Sequence, residues 1–153
     1  MRLDELINGT LLGDASIRVD KGKYFYYSLN AKDKNFLFWS KLLFKKFDIP
    51  TYITLNNSIT KVFTLGFYIN ARKNQDLLEL RNKWYKQEKG KTVKTFPRDL
   101  NITPTTLLFW YLGDGSLIRR KNDENRVPFI VLATNCFSKT DIFVLVEKLK
   151  KLG

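Results

Sequence analysis

The sequence predicts an α+β protein built from two halves that are related by a pseudo-twofold axis. Residues 7–16 and 107–116 are both apolar runs of helical character, and each ends in Gly-Asp, a small residue and Ser. Elsewhere, segments with helical apolar spacing are interspersed with segments of alternating apolar and polar residues, as in half-buried strands. The 153 residues, 44% of them hydrophobic, suffice for one core or two small fused halves. The expected order within a complete half is αββαββα, with antiparallel sheets.

The first half, residues 1–85, is predicted to contain the whole set of elements. Asp4 and Glu5 suit the first turn of its first helix, because the helix dipole favours negative charge there. Pro50 ends the second helix, since proline cannot continue the helical hydrogen bonds. The predicted elements are helix 3–12, strands 16–20 and 24–30, helix 35–47, strands 51–55 and 61–69, and helix 75–85.

The second half, residues 104–153, follows a polar and basic linker at residues 86–103. Thr103 is the predicted cap of its first helix, and Pro104 takes the first helical position. Compared with the first half, the second half is C-terminally incomplete, because it lacks a closing hairpin and helix. We expect the sequence to be a fragment rather than a protein with a degenerate second half. The predicted elements are helix 105–112, strands 116–120 and 127–134, and helix 138–152.

The charge balance indicates an anionic partner. Net charge is +12, from 27 Lys and Arg against 15 Asp and Glu, and nucleic acid and acidic membranes are the usual partners of such an excess. No apolar run reaches the roughly 18 residues that span a membrane, so no membrane partner is expected. The chain lacks histidine, which excludes Ser-His-Asp and Cys-His catalysis and His-ligated zinc. Hydrolysis would therefore need carboxylates, lysines, a metal ion and water.

Cysteine usage and the N-terminal sequence predict the compartment. Cys136 is the single cysteine, which excludes an internal disulfide and favours a reducing environment. The N-terminal residues lack the basic start and apolar stretch of a signal peptide. We expect an intracellular protein, in the cytoplasm or an organellar matrix, that is not secreted.

Each repeated segment places one acidic residue at the end of its apolar helix, Asp14 in the first and Asp114 in the second. Gly9 and Gly13 lie about one helical turn apart and would let a second helix approach closely. If the two helices pack together, the carboxylates meet and repel each other unless a cation lies between them. The repeat therefore predicts a divalent-metal site on the symmetry axis. The alternative is a pair of amphipathic helices with glycine caps, whose acids merely follow the helix ends.

Both repeated segments resemble the LAGLIDADG motif, in its variants that end Gly-Asp-Ala and Gly-Asp-Gly. Residues 94–97 (Lys-Thr-Phe-Pro), followed by the second copy at 107–115, resemble the linker and second motif of single-chain homing endonucleases. The predicted αββαββα order fits that family, and the resemblance covers nearly the whole chain. Phe109 departs from the pattern, because it stands where the first copy has Gly9, so the helix packing cannot be fully symmetric. The missing closing hairpin is the other departure.

The resemblance implies an intron-encoded DNA endonuclease that makes Mg²⁺-dependent double-strand cuts at a long target. Asp14 and Asp114 fall on the motif's metal-binding acids, and the carbonyls of Gly13 and Gly113 are implied as further ligands. The residues suit this chemistry, because Mg²⁺ prefers hard oxygen ligands and often uses only one or two carboxylates with phosphate and water. Mn²⁺ or Ca²⁺ could occupy the same site.

The resemblance also implies polar or basic residues at the strand ends, where they would orient water and offset phosphate charge. Lys32 follows the second strand, and Asn135 takes the corresponding place in the second half. Arg72 and Lys73 follow the fourth strand, and Arg72 is also a candidate DNA contact. Lys32 and Lys73 are the stronger candidates, and the alternative for each residue is a solvated surface position.

The sheet face that points away from the helices is predicted to contact DNA, because a saddle-shaped antiparallel sheet can lie in the major groove. An ordinary solvent-facing sheet would show the same alternation, and the net charge of +12 favours DNA. Candidates for base contacts are Arg18, Tyr24, Tyr26, Ser28, Asn30, Thr54, Asn56, Thr64, Tyr68 and Asn70. Candidates for phosphate contacts, which would set affinity and salt dependence, are Lys86, Lys89, Lys91, Lys94, Arg119, Arg120 and Lys121.

Two other functions stay open at this point. An RNA maturase on the same fold would bind intron RNA and assist splicing, and such proteins can keep both acids. A basic nucleic-acid-binding protein without catalysis is the third possibility. Retention of Asp14 and Asp114 favours the nuclease, whose expected partner is double-stranded DNA and which is expected to act as a monomer when full length.

Overall fold

The computed structural model describes residues 1–20, 24–57, 62–70, 75–119 and 127–152. These residues confirm the predicted mixed α+β fold with antiparallel sheets. The first half contains α1 (Leu3–Leu12), β1 (Ala15–Asp20), β2 (Tyr24–Ala31), α2 (Lys34–Lys45), β3 (Tyr52–Asn57), β4 (Val62–Asn70) and α3 (Gln75–Trp84). It is followed by β5 (Tyr85–Glu88), β6 (Lys91–Lys94), α4 (Pro104–Asp114), β7 (Gly115–Ile118), β8 (Phe129–Leu132) and α5 (Lys139–Lys150).

The first half is organised around an antiparallel four-stranded sheet with strand order β1-β2-β4-β3. Its inner face packs on the helices through Tyr27, whose ring stacks on Phe67 of β4 at 4.6 Å and meets the edge of Phe44 of α2 at 5.4 Å. The Tyr27 hydroxyl donates a hydrogen bond of 2.8 Å to Thr10 of α1. Because side chains alternate along a strand, these contacts turn the residues of opposite parity towards the outer face.

Helices α1 and α4, which carry the repeated segments, pack directly against each other. A Cβ at Gly9 would lie 2.6 Å from the Thr106 carbonyl oxygen and 2.7 Å from the Phe109 Cβ, so glycine is required for this close approach. Phe109 is buried opposite Gly9, and its ring stacks on Trp39 of α2 at 5.2 Å. The departure of Phe109 from the repeat therefore gives the helix pair its expected asymmetry.

The segment predicted only as a linker folds in part as a β-hairpin, with β5 and β6 paired antiparallel. Lys89 and Gly90 form its turn with φ values of 49° and 76°, the left-handed conformation that two-residue hairpin turns use. The Thr95 amide donates a hydrogen bond of 2.7 Å to the Trp84 carbonyl and closes the base of the hairpin. The sequence pattern missed these strands because they lack the apolar alternation of a half-buried strand.

In the second half, β7 and β8 form a separate two-stranded ribbon. Ile130 pairs with Leu117 in this ribbon as Tyr27 pairs with Ile17 in the first half. Ile130 is 58% exposed, whereas Tyr27 is fully buried. The difference arises because β4 places Phe67 against Tyr27, while the described residues of the second half include no strand in the corresponding position.

Candidate active site

The two acids of the repeated segments lie side by side at the ends of α1 and α4. Helix α1 ends at Leu12, so Asp14 lies just beyond it, whereas α4 continues through Asp114. A Cβ at Gly13 would lie 3.4 Å from the Asp114 Cβ, and a Cβ at Gly113 would lie 3.7 Å from the Asp14 backbone nitrogen. The structure thus brings together the residues that the sequence assigned to a metal site.

The ionised form of the Asp14 side chain is electrostatically disfavoured in this position. Burial raises the pKa of this carboxyl and the negative charge of Asp114 raises it further, while the nearby Lys94 ammonium lowers it. Asp14 nevertheless remains exposed enough to meet a ligand, and Asp114 is half-buried. Two acids in this position favour a cation between them, because a cation relieves their mutual repulsion.

Lys94 is a component of the site that the sequence pattern assigned elsewhere. Its Nζ donates hydrogen bonds to the carbonyl oxygens of Gly13 at 3.3 Å and Ala15 at 3.1 Å. The ammonium also lies 5.8 Å from the centre of the Trp84 ring and 6.0 Å from that of Phe137. Burial lowers the pKa of this lysine, and the negative groups around it oppose that shift. The structure places Lys94 beside the carboxylate pair. The sequence predicts this lysine as a contact to a DNA phosphate.

Cys136 adds a thiol to the same neighbourhood. Burial raises the pKa of this thiol, whereas the Lys94 ammonium lowers it. Its charge interactions extend to Asp14 and Asp114 as well. No signal in the sequence marked this cysteine as part of the site, because its proximity depends on how the second half folds back towards β6.

Two of the residues predicted to orient water, Lys32 and Asn135, lie at the expected strand ends. Lys32 is exposed and follows the last residue of β2, and Asn135 is exposed in the turn after β8. Among the described residues, the cation that lowers the pKa of the Asp14 carboxyl is the Lys94 ammonium. Lys73 and Arg72 lie outside the described residues. The roles of Lys32, Asn135 and Lys73 stay predictions.

The donor atoms of the site fit a hard divalent cation. Within the described ranges, no three His, Cys, Asp or Glu side chains are grouped so that they could hold a metal ion, which leaves Asp14 and Asp114 as a pair. A pair of carboxylates suits Mg²⁺, which keeps several waters and takes oxygens from substrate phosphates. The Gly13 carbonyl already accepts a hydrogen bond from Lys94, so the two carboxylates are the stronger candidates for ligands.

The outer face of the four-stranded sheet carries the candidate base contacts in rows that cross neighbouring strands. The strand registers give one row of Arg18, Tyr26 and Tyr68, a second of Ser16, Ser28, Gly66 and Tyr52, and a third of Asn30, Thr64 and Thr54. Tyr52 was not among the sequence candidates. Its position two residues before Thr54 was the available signal, since alternate residues of a strand share a face.

The Ser28 and Thr64 side chains lie in these rows, yet they are only 4% and 3% exposed. A direct contact between either hydroxyl and a base stays a prediction. The Ser28 hydroxyl is hydrogen-bonded to Ser16 at 2.9 Å. The Thr64 hydroxyl donates to Asn30 at 2.5 Å and accepts a hydrogen bond from the Asn56 amide. These hydroxyls stabilise the face, and Asn30 and Asn56 are held by them.

The remaining basic candidates for nucleic-acid contacts are exposed residues and residues outside the described ranges. The exposed ones are Arg18, Lys86, Lys89, Lys91 and Arg119. Arg120 and Lys121 lie outside the described residues. For Asn70 only the backbone pairing with Tyr24 is described.

The profile of the LAGLIDADG DNA endonuclease family matches residues 4–152. The chain is 30% identical over 153 residues to the uncharacterized protein MJ1098 of Methanocaldococcus jannaschii, covering 98% of this chain and 56% of that protein. It is 26% identical over 158 residues to the cytochrome b mRNA maturase bI2 of Debaryomyces hansenii, covering 95% of this chain and 54% of the maturase. The chain therefore spans about half the length of the curated relatives that it matches.

A similar fold occurs in the homing endonuclease I-WcaI, solved bound to its DNA recognition sequence. The TM-score is 0.68 at 21% identity, over 97% of this chain and 66% of I-WcaI. At this identity the likeness concerns the fold. None of the helices within the described ranges is long and apolar enough to cross a membrane.

Proposed function

Because the chain belongs to the LAGLIDADG DNA endonuclease family, we propose that it makes metal-dependent double-strand cuts at a long DNA target and is encoded within an intron. The observation that carries this proposal is the meeting of Asp14 and Asp114, one from each repeated segment, beside the Lys94 ammonium. One acid from each half suits a reaction that must act on both strands of a duplex. The site residues are exposed enough to meet a phosphate backbone.

The proposed chemistry uses the two acids as ligands for Mg²⁺. When bound there, the ion would lower the pKa of a coordinated water and stabilise the departing 3′ oxygen. Asp14 and Asp114 would hold the cation with their carboxylate oxygens, and the repulsion between the two acids would favour its binding. Mn²⁺ or Ca²⁺ would be held by the same oxygen atoms.

Lys94 is proposed to hold the backbone around Asp14 in place. Its hydrogen bonds to Gly13 and Ala15 fix the backbone on both sides of Asp14. The ammonium also offsets part of the negative charge that the acids and a DNA phosphate bring together. Lys32, Lys73 and Asn135 are proposed to orient water near the reacting phosphates.

The duplex is proposed to lie along the outer face of the four-stranded sheet. The exposed members of its rows, such as Arg18 and Tyr68, would face base edges in the major groove. Lys86, Lys91 and Arg119 would neutralise phosphates at the margins, in keeping with the net charge of +12. Sequence choice would come from the sheet and affinity from the basic margin.

A cleavage assay with defined DNA tests the proposed activity. The substrate is a supercoiled plasmid that carries the intronless insertion site of this reading frame, and a matched plasmid carries the intron-interrupted site. The proposal expects linear product from the intronless plasmid with Mg²⁺ and none with EDTA. Intact plasmid under both conditions, together with a folded protein, would contradict the nuclease proposal.

An RNA maturase is the second candidate function, favoured by the likeness to the cytochrome b mRNA maturase bI2. A maturase would bind the intron RNA tightly and increase its splicing rate without cutting the intronless plasmid. Filter binding with the intron transcript and a splicing assay distinguish it from the nuclease. Intron RNA bound no more tightly than an unrelated transcript would exclude this alternative.

A further inference from the structure

Three tyrosines form a compact cluster in the middle of the outer sheet face. The ring centres of Tyr26 and Tyr68 lie 5.1 Å apart, and those of Tyr26 and Tyr52 lie 6.3 Å apart with near-parallel rings. They come from β2, β4 and β3, so the cluster spans three adjacent strands. Aromatic pairs at these separations stabilise one another, which holds the rings in a preformed arrangement.

Gly66 makes room for this cluster. It pairs with both Ser28 and Tyr52 in the sheet, and the Tyr26 side chain leans across it. A Cβ at Gly66 would lie 2.7 Å from the Tyr26 Cζ and would collide with the Tyr26 hydroxyl. Any other residue at this position would push the central ring away from the sheet, so the glycine fixes the height of the cluster.

The hydroxyls of the cluster are used internally. The Tyr52 hydroxyl interacts with the side chains of Tyr26 and Tyr68. Burial and the interaction with Tyr26 raise the pKa of Tyr52 to about 12. The Tyr26 hydroxyl is turned down over Gly66. With these hydroxyls engaged within the cluster, its ring carbons are available to an incoming ligand.

The surroundings of the cluster are polar, which makes its apolar surface distinctive. Tyr68 is 58% exposed and Tyr52 is 38% exposed. Arg18 lies in the same row as Tyr26 and Tyr68, and the neighbouring rows carry Ser16 and Asn30. An apolar patch that is surrounded by hydrogen-bonding groups would favour a base with an apolar group on the part of its edge that faces the patch.

Resting on the proposed DNA binding, we propose that Tyr26, Tyr52 and Tyr68 together read the 5-methyl group of a thymine in the major groove. Thymine carries a methyl group on its major-groove edge, and apolar side chains recognise thymine by contact with this methyl group. A cytosine amino group placed there would lose a hydrogen bond to water without regaining one. Because the rings are already held in place, little conformational entropy is lost on binding. The contact with the methyl group would therefore contribute to the preference for thymine.

Thymine-to-uracil replacement tests this inference, because uracil lacks only the methyl group. A preferred duplex is first selected from a randomised library with this chain, and each thymine is then replaced singly. We expect at least one replacement to weaken binding by about fourfold, the affinity that burial of one methyl-sized group contributes. In Tyr68→Ala this thymine-uracil difference should vanish. In Tyr68→Phe, which keeps the ring carbons, the difference should persist.

Phe143→Ala provides the matched control, since Phe143 is an exposed aromatic residue on α5 and is 74% exposed. It should keep the full thymine-uracil difference. The inference is overturned if no single replacement weakens binding, or if Tyr68→Ala discriminates as the unmodified chain does. In both of these cases specific duplex binding would survive, so the proposed function would stand. A chain that selects no preferred duplex would overturn the proposed DNA binding and the inference with it.

Discussion

The Lys94 ammonium and the Gly13 carbonyl oxygen are 3.3 Å apart, and this hydrogen bond joins strand β6 to the end of the first repeated segment. The same amine reaches the Ala15 carbonyl, so it holds the chain on both sides of Asp14. The hairpin between the halves is thus part of the site. Its proposed task is to fix Asp14 against Asp114.

Lys94→Met should reduce cleavage at saturating DNA by about a hundredfold, the usual scale for losing one preorganised donor at a reacting centre. Methionine has a long unbranched side chain like that of lysine, but it removes the charge, both hydrogen bonds and the cation–π contacts with Trp84 and Phe137. Single-turnover cleavage with Mg²⁺ measures the effect, and duplex affinity should change little. Lys45→Met on α2 is the control and should cut at the normal rate. Unchanged cleavage in Lys94→Met would show that the amine is dispensable.

Gly9→Ala should destabilise the protein by about 1–3 kcal/mol, the cost of overpacking a close contact. The new Cβ would meet the Thr106 carbonyl oxygen and the Phe109 Cβ within 2.7 Å. Gly113→Ala is the matched control, because its nearest neighbour would lie 3.7 Å away and alanine favours a helix. Urea unfolding compares the two variants. Equal stability changes in the two variants would contradict the account, because the close approach at Gly9 would then carry no packing cost of its own.

Asp14→Asn should stabilise the metal-free protein at neutral pH by about 0.5 kcal/mol, the scale of a partly exposed charge pair. The folded pKa of Asp14 is raised, so the wild-type protein loses stability as pH rises from the unfolded pKa through the folded one. The advantage of the variant should therefore shrink as pH falls towards about 4. Thermal unfolding across pH measures it.

Asp99→Asn is the control for this pH series, because the pKa of Asp99 is shifted in the opposite direction to that of Asp14. The hydrogen bond from Lys83 holds the pKa of Asp99 below its usual value. Asp99→Asn should therefore lose stability at neutral pH, and that loss should disappear as pH falls through the folded pKa. If Asp14→Asn behaved like Asp99→Asn, the account of repulsion between Asp14 and Asp114 would be wrong.

Duplex affinity should fall steeply with salt, because a chain of net charge +12 releases counterions from each phosphate that it neutralises. Arg119→Ala should lower the slope of log K against log salt by about 1. Arg2→Ala is the control, since Arg2 is paired with Asp4 at 3.2 Å near the start of α1. Fluorescence anisotropy at several salt concentrations gives the slopes. An unchanged slope for Arg119→Ala would remove this residue from the phosphate contacts.

Most of the fold could be predicted because its elements have strong local patterns. Helix α1 has the predicted bounds, and the strands β1 to β4 depart by at most a residue or two, since apolar periodicity specifies them. The hairpin of β5 and β6 could not be predicted in this way. Apart from Tyr85 and Val93 its strands are polar, so no apolar alternation marks them, and its turn depends on the positive φ of Lys89 and Gly90.

The candidate site could be predicted in part. The repeat was enough to bring Asp14 and Asp114 together, because helix packing follows from Gly9 and the apolar runs. The position of Lys94 depends on tertiary packing under Trp84 and Phe137, which no local pattern contains. Alternation along β2 likewise predicted on which face of the sheet each residue lies, but it did not predict how deeply a residue such as Ser28 is buried there.

Single-turnover cleavage by Asp14→Asn and Asp114→Asn tests the central claim most directly, with Asp76→Asn on the exposed surface of α3 as the control. Each reaction uses the intronless site, Mg²⁺ and enough protein to bind all of the DNA. The account predicts that both active-site variants bind the duplex and leave it uncut, while the control cuts normally. Normal cutting by either variant, with its fold intact, would contradict the claim that the paired acids form the catalytic site.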